Sequence, residues 1–337
     1  MNVIHGATKP AVLLSTVPEK AMPEIRPADR YAPVSDLCII SSFFNPNGYA
    51  SKLRNYSHFL QVIERSHLNW LVVECAFGGA PFVLPESPSV IRVRSSSVMW
   101  QKERLLNIAL ASVPTHCSKV AWLDCDVLFE NPEWAVHASR LLDSYRVVQL
   151  FDIAIRLPRG HLFFAGEGDT WKSFAGVYLE QPNELLNGDF AGHGHSGFAW
   201  AARKEVLEEN GLYDACISGS GDHMMAHAFC GDWESACIDR ILGDNNPHRD
   251  HFSEWSRHIY KRLRARVGCV SGHLLHLWHG DIDNRRYVRR NKELAALRFD
   301  PYRDIHLDNE GCWNWASDKP ALHQWAEQYY AGRREDG

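Results

Sequence analysis

Between Asp36 and Leu123 the chain alternates short apolar runs with longer segments of helical periodicity, and no other feature constrains its fold as strongly. The predicted strands are 37–44, 70–74, 90–93 and 120–123, and the predicted helices between them are 50–65 and 100–111. A strand that is apolar at nearly every position is buried on both faces, which is typical of a parallel sheet covered by helices. We therefore predict an α/β fold with a mainly parallel central sheet flanked by helices.

The rest of the chain continues this pattern less regularly. We predict helices at 132–145, 203–210, 222–229, 253–266 and 284–297, and strands at 147–151, 198–202 and 274–278. The stretch 152–191 loses clear periodicity and is rich in glycine, aromatic and polar residues, as substrate-facing loops are. Residues 1–35 contain five prolines and little periodicity, so we expect an extended or disordered N-terminal arm there.

Composition limits the class of protein. The 337 residues are 45% hydrophobic, enough for a large core, and the formal net charge of −5 gives no overall reason to expect a polyanionic partner. The basic stretches 261–266 and 285–290 are most simply solvated helix faces, with a phosphate or nucleic-acid surface as the alternative.

Nine scattered cysteines without a CxxC pair indicate reduced thiols. The chain has no signal-peptide pattern and no apolar run of about 18 residues, so we predict a cytoplasmic protein without an integral membrane segment.

Two carboxylates, Asp124 and Asp126, directly follow the predicted strand 120–123. The carboxyl ends of parallel strands are where ligands of such sheets bind. Two acids at the end of an apolar strand repel each other and are poorly solvated, and a cation relieves both costs. Oxygen ligands suit Mg²⁺ or Mn²⁺, and Mg²⁺ commonly binds one or two protein carboxylates together with substrate phosphates. A divalent metal with a nucleotide diphosphate is therefore predicted here, and a solvated turn is the alternative.

Later segments contribute further candidates. Asp222 follows a Gly-Ser-Gly turn and begins a predicted helix, where the helix dipole favours an anion, although the local sequence alone favours an ordinary N-cap. His276 and His279 lie three residues apart at the end of the predicted strand 274–278. Since His279 enters the following turn and can rotate towards a metal, it is our first choice of histidine ligand, with His276 second.

Residues 192–197 match the pattern G-x-G-x-x-G literally. A dinucleotide-binding fingerprint lies between a buried strand and a helix, whereas this one has a poor strand before it and a predicted strand after it. A substrate-binding loop fits better. Asp189, His193 and His195 are candidates for contact with sugar or acceptor, and structural or solvent-facing roles are equally compatible with their sequence.

Several segments, in chain order, resemble the GT-A fold glycosyltransferases and particularly the β-1,4-galactosyltransferase-like group. They are 43–45, 101–107, 124–126, 196–207, 211–214, 219–223, 276–280 and 284–285. The resemblance covers about residues 36–290. It implies a single GT-A-like domain at 36–300, with 301–337 as a C-terminal extension that packs on the core.

The resemblance also implies roles for individual residues. Asp222 would be the general base, and Mn²⁺ or Mg²⁺ would be bound by Asp124, Asp126, His279 and His276. The residues that would contact the donor nucleotide are Phe44, Asn45, Gln101, Lys102, Asn107, Asp124 and Gly197. The family carries a Gly-Gly-Glu-Asp-like turn where this chain has Gly-Asp-His at 221–223, so the identity of the acceptor does not carry over.

The predicted activity is transfer of a hexosyl or N-acetylhexosaminyl group from a nucleotide-diphosphate sugar, UDP-linked by resemblance, to an acceptor hydroxyl with inversion. The acceptor could be a saccharide, a lipid-linked glycan, a protein, a small metabolite or a modified nucleic acid. Two alternatives stay open. One is a metal-dependent nucleotidyltransferase or phosphohydrolase, and the other is a non-catalytic protein that binds nucleotide sugars or glycans.

Overall fold

The computed structural model describes residues 34–182 and 192–337. Its strands are β1 (Leu37–Phe44), β2 (Asn69–Phe77), β3 (Val90–Ser95), β4 (Lys119–Leu123), β5 (Val127–Phe129), β6 (Val147–Gln149), β7 (Ile153–Arg156), β8 (Asp169–Lys172), β9 (Ala199–Arg203), β10 (Val267–Cys269), β11 (His273–His276), β12 (Ile305–Leu307) and β13 (Trp313–Trp315). Its α-helices are α1 (Ala50–Arg65), α2 (Lys102–Ala111), α3 (Trp134–Leu142), α4 (Phe174–Glu180), α5 (Lys204–Leu207), α6 (Gly221–Cys230), α7 (Ala236–Leu242), α8 (Asn246–Leu263), α9 (Tyr287–Ala296), α10 (Pro301–Asp304) and α11 (Pro320–Ala331). A 3₁₀ turn covers Ile282–Arg285.

A seven-stranded sheet with the order β10-β6-β9-β4-β1-β2-β3 forms the centre of the described structure. Six of these described strands run in one direction, and β9 is antiparallel to both of its neighbours. In β1, Ile40 lies opposite Leu71 of β2 and Trp122 of β4. The predicted fold class, an α/β domain with a mainly parallel central sheet, is confirmed.

Helices cover both faces of this sheet. Alternate residues of β1 enter two different cores, because successive side chains of a strand point to opposite faces. Ile39 and Phe43 pack with α1 and α3, whereas Ile40 and Phe44 pack with α2, α6 and α8. Burial on both faces explains why β1 is apolar almost throughout, and it fixes the carboxyl end of β1 beside that of β4.

A second sheet, with the order β5-β11-β7-β8, joins β11, which corresponds to the predicted strand 274–278, to three strands that the sequence does not predict. Strands β7 and β8 fall inside 152–191, so the loop prediction is wrong for these residues, as it is for α4. Both strands have four residues, and all four residues of β8 are exposed, so no apolar alternation marks it. These strands form through tertiary pairing instead: β7 pairs in parallel with β11, and β8 pairs antiparallel with β7.

Other boundaries shift by a few residues. Helix α1 spans its predicted 50–65, while α8 begins at Asn246, seven residues before the predicted start at 253. The side chain of Asn245 accepts a bond from His248 N, and Pro247 occupies the first turn, so both start signals were present in the sequence. The domain boundaries at 36 and 300 stay predictions, and the predicted N-terminal arm falls almost entirely outside the described residues, as does Asp189.

No helix among residues 34–182 and 192–337 combines the length and apolar character needed to cross a bilayer.

Candidate active site

A cavity of about 370 Å³ opens at the carboxyl ends of β1 and β4. Its wall includes Phe44 at the end of β1, residues 124–126 after β4, residues 193–198 before β9, and the first turn of α6 with Asp222. The edge of the sheet that the sequence selects as a ligand site therefore borders a real cavity. It brings Asp124, Asp126 and Asp222 to one place.

Asp126 lies beside His276 and His279 on one side of the cavity. Asp126 Oδ2 is 2.9 Å from His279 Nε2, and Asp126 Oδ1 is 3.8 Å from His276 Nε2. The two histidine Nε2 atoms are 3.2 Å apart. His276 ends β11, which is antiparallel to β5, and His279 follows in the turn, so the second sheet brings the histidines to the acid.

These three side chains fit a divalent cation. One ligand atom from each lies within 4.8 Å of the others. Asp126 Oδ1 is buried and has no hydrogen-bond partner among the described residues, a cost that a bound cation would remove. Glu335 Oε1 lies 3.4 Å from His279 Nδ1, the position from which a carboxylate orients a metal-binding imidazole.

The protonation of this group follows from its charges. Burial opposes ionisation of Asp126, but the neighbouring His279 and His276 outweigh it and lower the pKa of Asp126. Burial lowers the pKa of His276 well below its usual value. An ionised carboxylate beside a neutral imidazole is the state in which both groups bind a metal.

Lys102 joins the other two acids. Its Nζ lies 2.5 Å from Asp124 Oδ1 and 2.6 Å from Asp222 Oδ2, near the start of α2. Burial disfavours the ammonium, yet these two carboxylates and Glu103 raise the pKa of Lys102 well above its usual value. Asp124 therefore lies in an ion pair with Lys102 rather than in the group of Asp126, His276 and His279.

Two acids near Lys102 have raised pKa values. Burial, together with the charges of Asp222 and Asp126, raises the pKa of Asp124 to about 6, although Lys102 opposes the shift. Burial and the charge of Asp222 raise the pKa of Glu103 to about 8. Glu103 lies under the start of α6, since a Cβ on Gly221 would approach its Oε1 to 2.5 Å.

Cationic side chains line the remainder of the cavity. Among the described residues they are Lys52, Lys102, Arg156, Arg285, Arg290 and Arg333. Arg285 is buried, with one guanidinium nitrogen 2.9 Å from His279 Nε2, and Arg290 donates to the carbonyl of Gly219. The interpretation of 285–290 as a solvated face is therefore wrong for these two arginines, because the 3₁₀ turn and the inner side of α9 direct them inwards. Three carboxylates and six cationic groups together make the cavity suited to an anion.

Some of the residues predicted to contact the donor lie elsewhere. The Asn45 side chain bonds both backbone groups of Tyr49, and the Gln101 side chain bonds the backbone of Trp313. Asn107 holds the backbone of Leu212. None of these three predicted residues is in the wall of the cavity formed by the described chain, whereas Phe44, Lys102 and Gly197 are. Their observed bonds position the loops around the site.

The 192–197 segment forms part of the wall. His195 stacks on Phe198 with ring centroids 3.8 Å apart, and its Nδ1 accepts a hydrogen bond from Gly197 N. Strand β9 follows directly, so the segment does not begin a helix as a dinucleotide fingerprint would. A Cβ on Gly197 would lie 3.3 Å from Asp222 Oδ2, which places this glycine against the predicted base.

Sequence reasoning missed several side chains of the site. Arg156 ends β7, inside the stretch predicted to be loop, and Lys52 lies in the first turn of α1. Arg333 and Glu335 come from the end of the chain and form an ion pair of 2.5 Å. No local pattern marks these residues as part of a site, because only tertiary packing brings them to the cavity or, for Glu335, to His279.

No family model matches the chain, and no curated protein matches it. Solved structures do match. The catalytic domain of Drosophila β1,4-galactosyltransferase 7 in complex with xylobiose is 11% identical, with 87% of this chain and 99% of that chain covered and a TM-score of 0.35. Glucosyl-3-phosphoglycerate synthase from Mycobacterium tuberculosis, in complex with Mn²⁺ and UDP-glucose, is 11% identical, with coverage of 86% and 90% and a TM-score of 0.37.

Mouse xyloside xylosyltransferase 1 is 14% identical, with 74% of this chain and 98% of that chain covered and a TM-score of 0.27. These similar structures are sugar transferases, the kind of protein that the sequence motifs resemble. At such TM-scores the likeness carries no weight for the activity of this chain.

Proposed function

We propose that this chain is a metal-dependent glycosyltransferase that moves a sugar from a nucleotide-diphosphate donor, UDP-linked by resemblance alone, to an acceptor hydroxyl. The observation that carries the proposal is one cavity that combines a cation-binding group, a separate carboxylate and a cationic wall. The transferred group would be a hexosyl or N-acetylhexosaminyl unit, in keeping with the family that the motifs resemble.

The donor diphosphate needs counter-charge as it leaves. Asp126, His276 and His279 would hold Mn²⁺ or Mg²⁺, which as a Lewis acid stabilises the negative charge on departing phosphate oxygens. Arg285 and Arg290 would bind further phosphate oxygens, since a guanidinium offers paired donors that match them. Asp124 and Lys102 would complete the donor side.

Asp222 would accept the proton of the acceptor hydroxyl while that oxygen attacks the anomeric carbon from the side opposite the diphosphate. Its side chain is 18% exposed, so it can be reached from the cavity. Lys102 lies between Asp222 and Asp124 and keeps both acids at a defined position. A carboxylate that removes a proton and forms no bond to the sugar gives inversion in a single displacement.

Calorimetric titration tests the donor site. A panel of nucleotides and nucleotide sugars is titrated into the purified chain with and without Mn²⁺, and into Asp126→Asn. We expect one nucleotide diphosphate to bind in a Mn²⁺-dependent manner and the variant to lose that binding. Asp250→Asn, an exposed carboxylate of α8, is the matched control and should bind like the parent. Absence of binding by every member of the panel would remove the donor-site assignment.

Turnover tests the base. With the donor that binds, Asp222→Asn should retain donor affinity while kcat falls by a factor of about 10²–10⁴, the usual contribution of a general base. Product anomers then report inversion or retention. Equal turnover in the variant would exclude Asp222 from the mechanism, and binding without any turnover in the parent would favour a non-catalytic nucleotide-sugar-binding protein.

A further inference from the structure

A second group of potential metal ligands lies at the cavity wall: His193 and His223, which line the cavity, with His227 and Cys237 next to them. One ligand atom from each of the four lies within 4.8 Å of the others. His223 and His227 are one turn apart on α6, and Cys237 is in the first turn of α7. His193 precedes β9 by six residues, so three parts of the chain meet at this point.

Hydrogen bonds orient two of the imidazoles. His227 Nδ1 lies 2.7 Å from Asp232 Oδ2, and His193 Nδ1 lies 2.8 Å from the carbonyl oxygen of Gly194. Both partners are acceptors, so each Nδ1 carries the proton and each Nε2 presents a lone pair. His227 is fully buried, and its Nε2 has no hydrogen-bond partner within the described parts of the chain. A carboxylate or carbonyl behind the ring is the arrangement found for metal-binding histidines.

We propose that these four side chains form a structural zinc site with three imidazole nitrogens and one thiolate. Zn²⁺ prefers nitrogen and sulfur ligands in a tetrahedral shell, and four protein ligands leave no open position, which distinguishes a structural site from a catalytic one. A hard cation such as Mg²⁺ would select oxygen ligands, which this group lacks. The site therefore differs in its metal from the group of Asp126, His276 and His279.

The rings are packed closely enough to share one ion. The centroids of His193 and His223 are 4.5 Å apart at 89°, and those of His223 and His227 are 5.0 Å apart at 10°. Cys237 is 1% exposed and His193 is 3% exposed, so solvent hardly reaches their ligand atoms. Burial disfavours a bare thiolate, and a bound metal ion would stabilise it.

The zinc would hold one side of the candidate active site in place. It would tie the segment 192–197 to α6, and α6 carries Asp222 next to the ligand His223. Gly197 contacts Asp222 from the other end of the same segment. The site thus fixes both sides of the contact at which the proposed base lies, and its occupancy can be measured without any assay of sugar transfer.

The purified full chain, incubated with zinc sulfate and desalted, is analysed by mass spectrometry for metal content and by X-ray absorption at the zinc edge. We expect about one zinc per chain, with nitrogen scatterers at about 2.0–2.1 Å and one sulfur at about 2.3 Å. Asp126→Asn should keep both the zinc and the sulfur signal, because that group contains no thiolate. A parent chain without zinc, or with a shell that contains no sulfur, would overturn the proposal.

A pair of cysteine variants assigns the sulfur. Cys237→Ser should lose the sulfur signal and most of the zinc, whereas Cys230→Ser, a buried cysteine at the end of α6, should keep both. If Cys237→Ser does not fold, the X-ray absorption of the parent chain still decides the ligand set. Loss of zinc in Cys230→Ser with retention in Cys237→Ser would contradict the assignment.

Discussion

Lys102 binds two carboxylates of the cavity at once, with distances of 2.5 Å to Asp124 and 2.6 Å to Asp222. The ammonium reduces the repulsion between two acids that burial would otherwise make costly. Asp126, the third acid of the cavity, lies beside His279 and not beside Lys102. Three acids near one another thus have two different partners, and this division underlies the assignment of Asp126 to the metal and Asp222 to the acceptor.

Gly197 offers a test of how closely Asp222 must be placed. The added methyl group of Gly197→Ala would lie 3.3 Å from Asp222 Oδ2 and from His195 Cε1, so one of them must move by a few tenths of an ångström. We expect kcat to fall about tenfold with donor affinity unchanged, because small misplacements of a reacting group are costly. Steady-state kinetics and donor titration measure the two effects.

Gly79→Ala is the control for this substitution, since a methyl group there meets nothing within 4 Å. It should leave both kcat and donor affinity as they are. Parent-like kcat in Gly197→Ala would mean that the position of Asp222 is not critical.

At the scale of elements, helix α8 buries a histidine among aromatic rings. The ring of His248 lies 5.2 Å from that of Phe299 and 6.3 Å from that of Tyr213, and the side chain is 3% exposed. Burial lowers the pKa of His248 from 6.5 to about 3, and the charges of His251 and Arg249 act in the same direction. Folding therefore favours the neutral form of this imidazole.

Below pH 6.5 the unfolded chain protonates this histidine, whereas the folded chain does so only near pH 3, so its contribution to stability is lost as the pH falls. At about 1.4 kcal/mol per pH unit, the free energy of unfolding should fall by roughly 2 kcal/mol between pH 7 and pH 5. Urea denaturation at pH 7 and at pH 5 measures this difference. In His248→Gln the fall in the free energy of unfolding between the two pH values should be smaller than in the parent by about that amount. His258→Gln, at an exposed position on α8, is the control and should keep the pH dependence of the parent. A parent-like pH dependence of the free energy of unfolding in His248→Gln would contradict the burial argument.

At the scale of the whole molecule, the end of the chain returns to the first helix and to the cavity. Asp336 accepts hydrogen bonds from Ala50 N and Ser51 N at the start of α1, where Tyr49 gives no side-chain cap. Glu335 lies between His279 and Lys52. The last residues thus cap the helix that follows β1 and support the group of side chains proposed to bind the metal.

Substitution of Arg333 tests whether the last residues of the chain contribute to donor binding. The side chain is buried, lines the cavity and forms the 2.5 Å ion pair with Glu335, whereas the adjacent Arg334 is exposed. We expect Arg333→Ala to weaken donor binding by about 10–100-fold, the effect of losing one or more hydrogen bonds to a charged group. It should also lower the melting temperature, because Glu335 is left buried without its nearest partner.

Calorimetry and thermal unfolding of Arg333→Ala and Arg334→Ala separate the two effects. Arg334→Ala should match the parent in both measurements. Unchanged donor affinity in a folded Arg333→Ala protein would remove the end of the chain from the binding site.

The sequence by itself determined β1, β4, α1 and the two acids between β4 and β5. The reason is that a continuous apolar run and a helical periodicity are both local patterns. It also indicated where the site lies, since ligands gather at the carboxyl ends of parallel strands. Short elements such as β5, β8 and β10, of three or four residues, carry too few positions for a pattern and form through pairing with distant strands.

Only the tertiary structure decided which side chains from distant parts of the chain meet. Arg156, Arg285 and Arg333 come from separate parts of the chain to one cavity, and His193 and Cys237 meet although 44 positions separate them. The physical reason is that crossovers and packing, rather than neighbouring residues, set these distances. A single arginine, histidine or cysteine has the same local signature on the surface as in a site, and so its role is defined by the chain that folds around it.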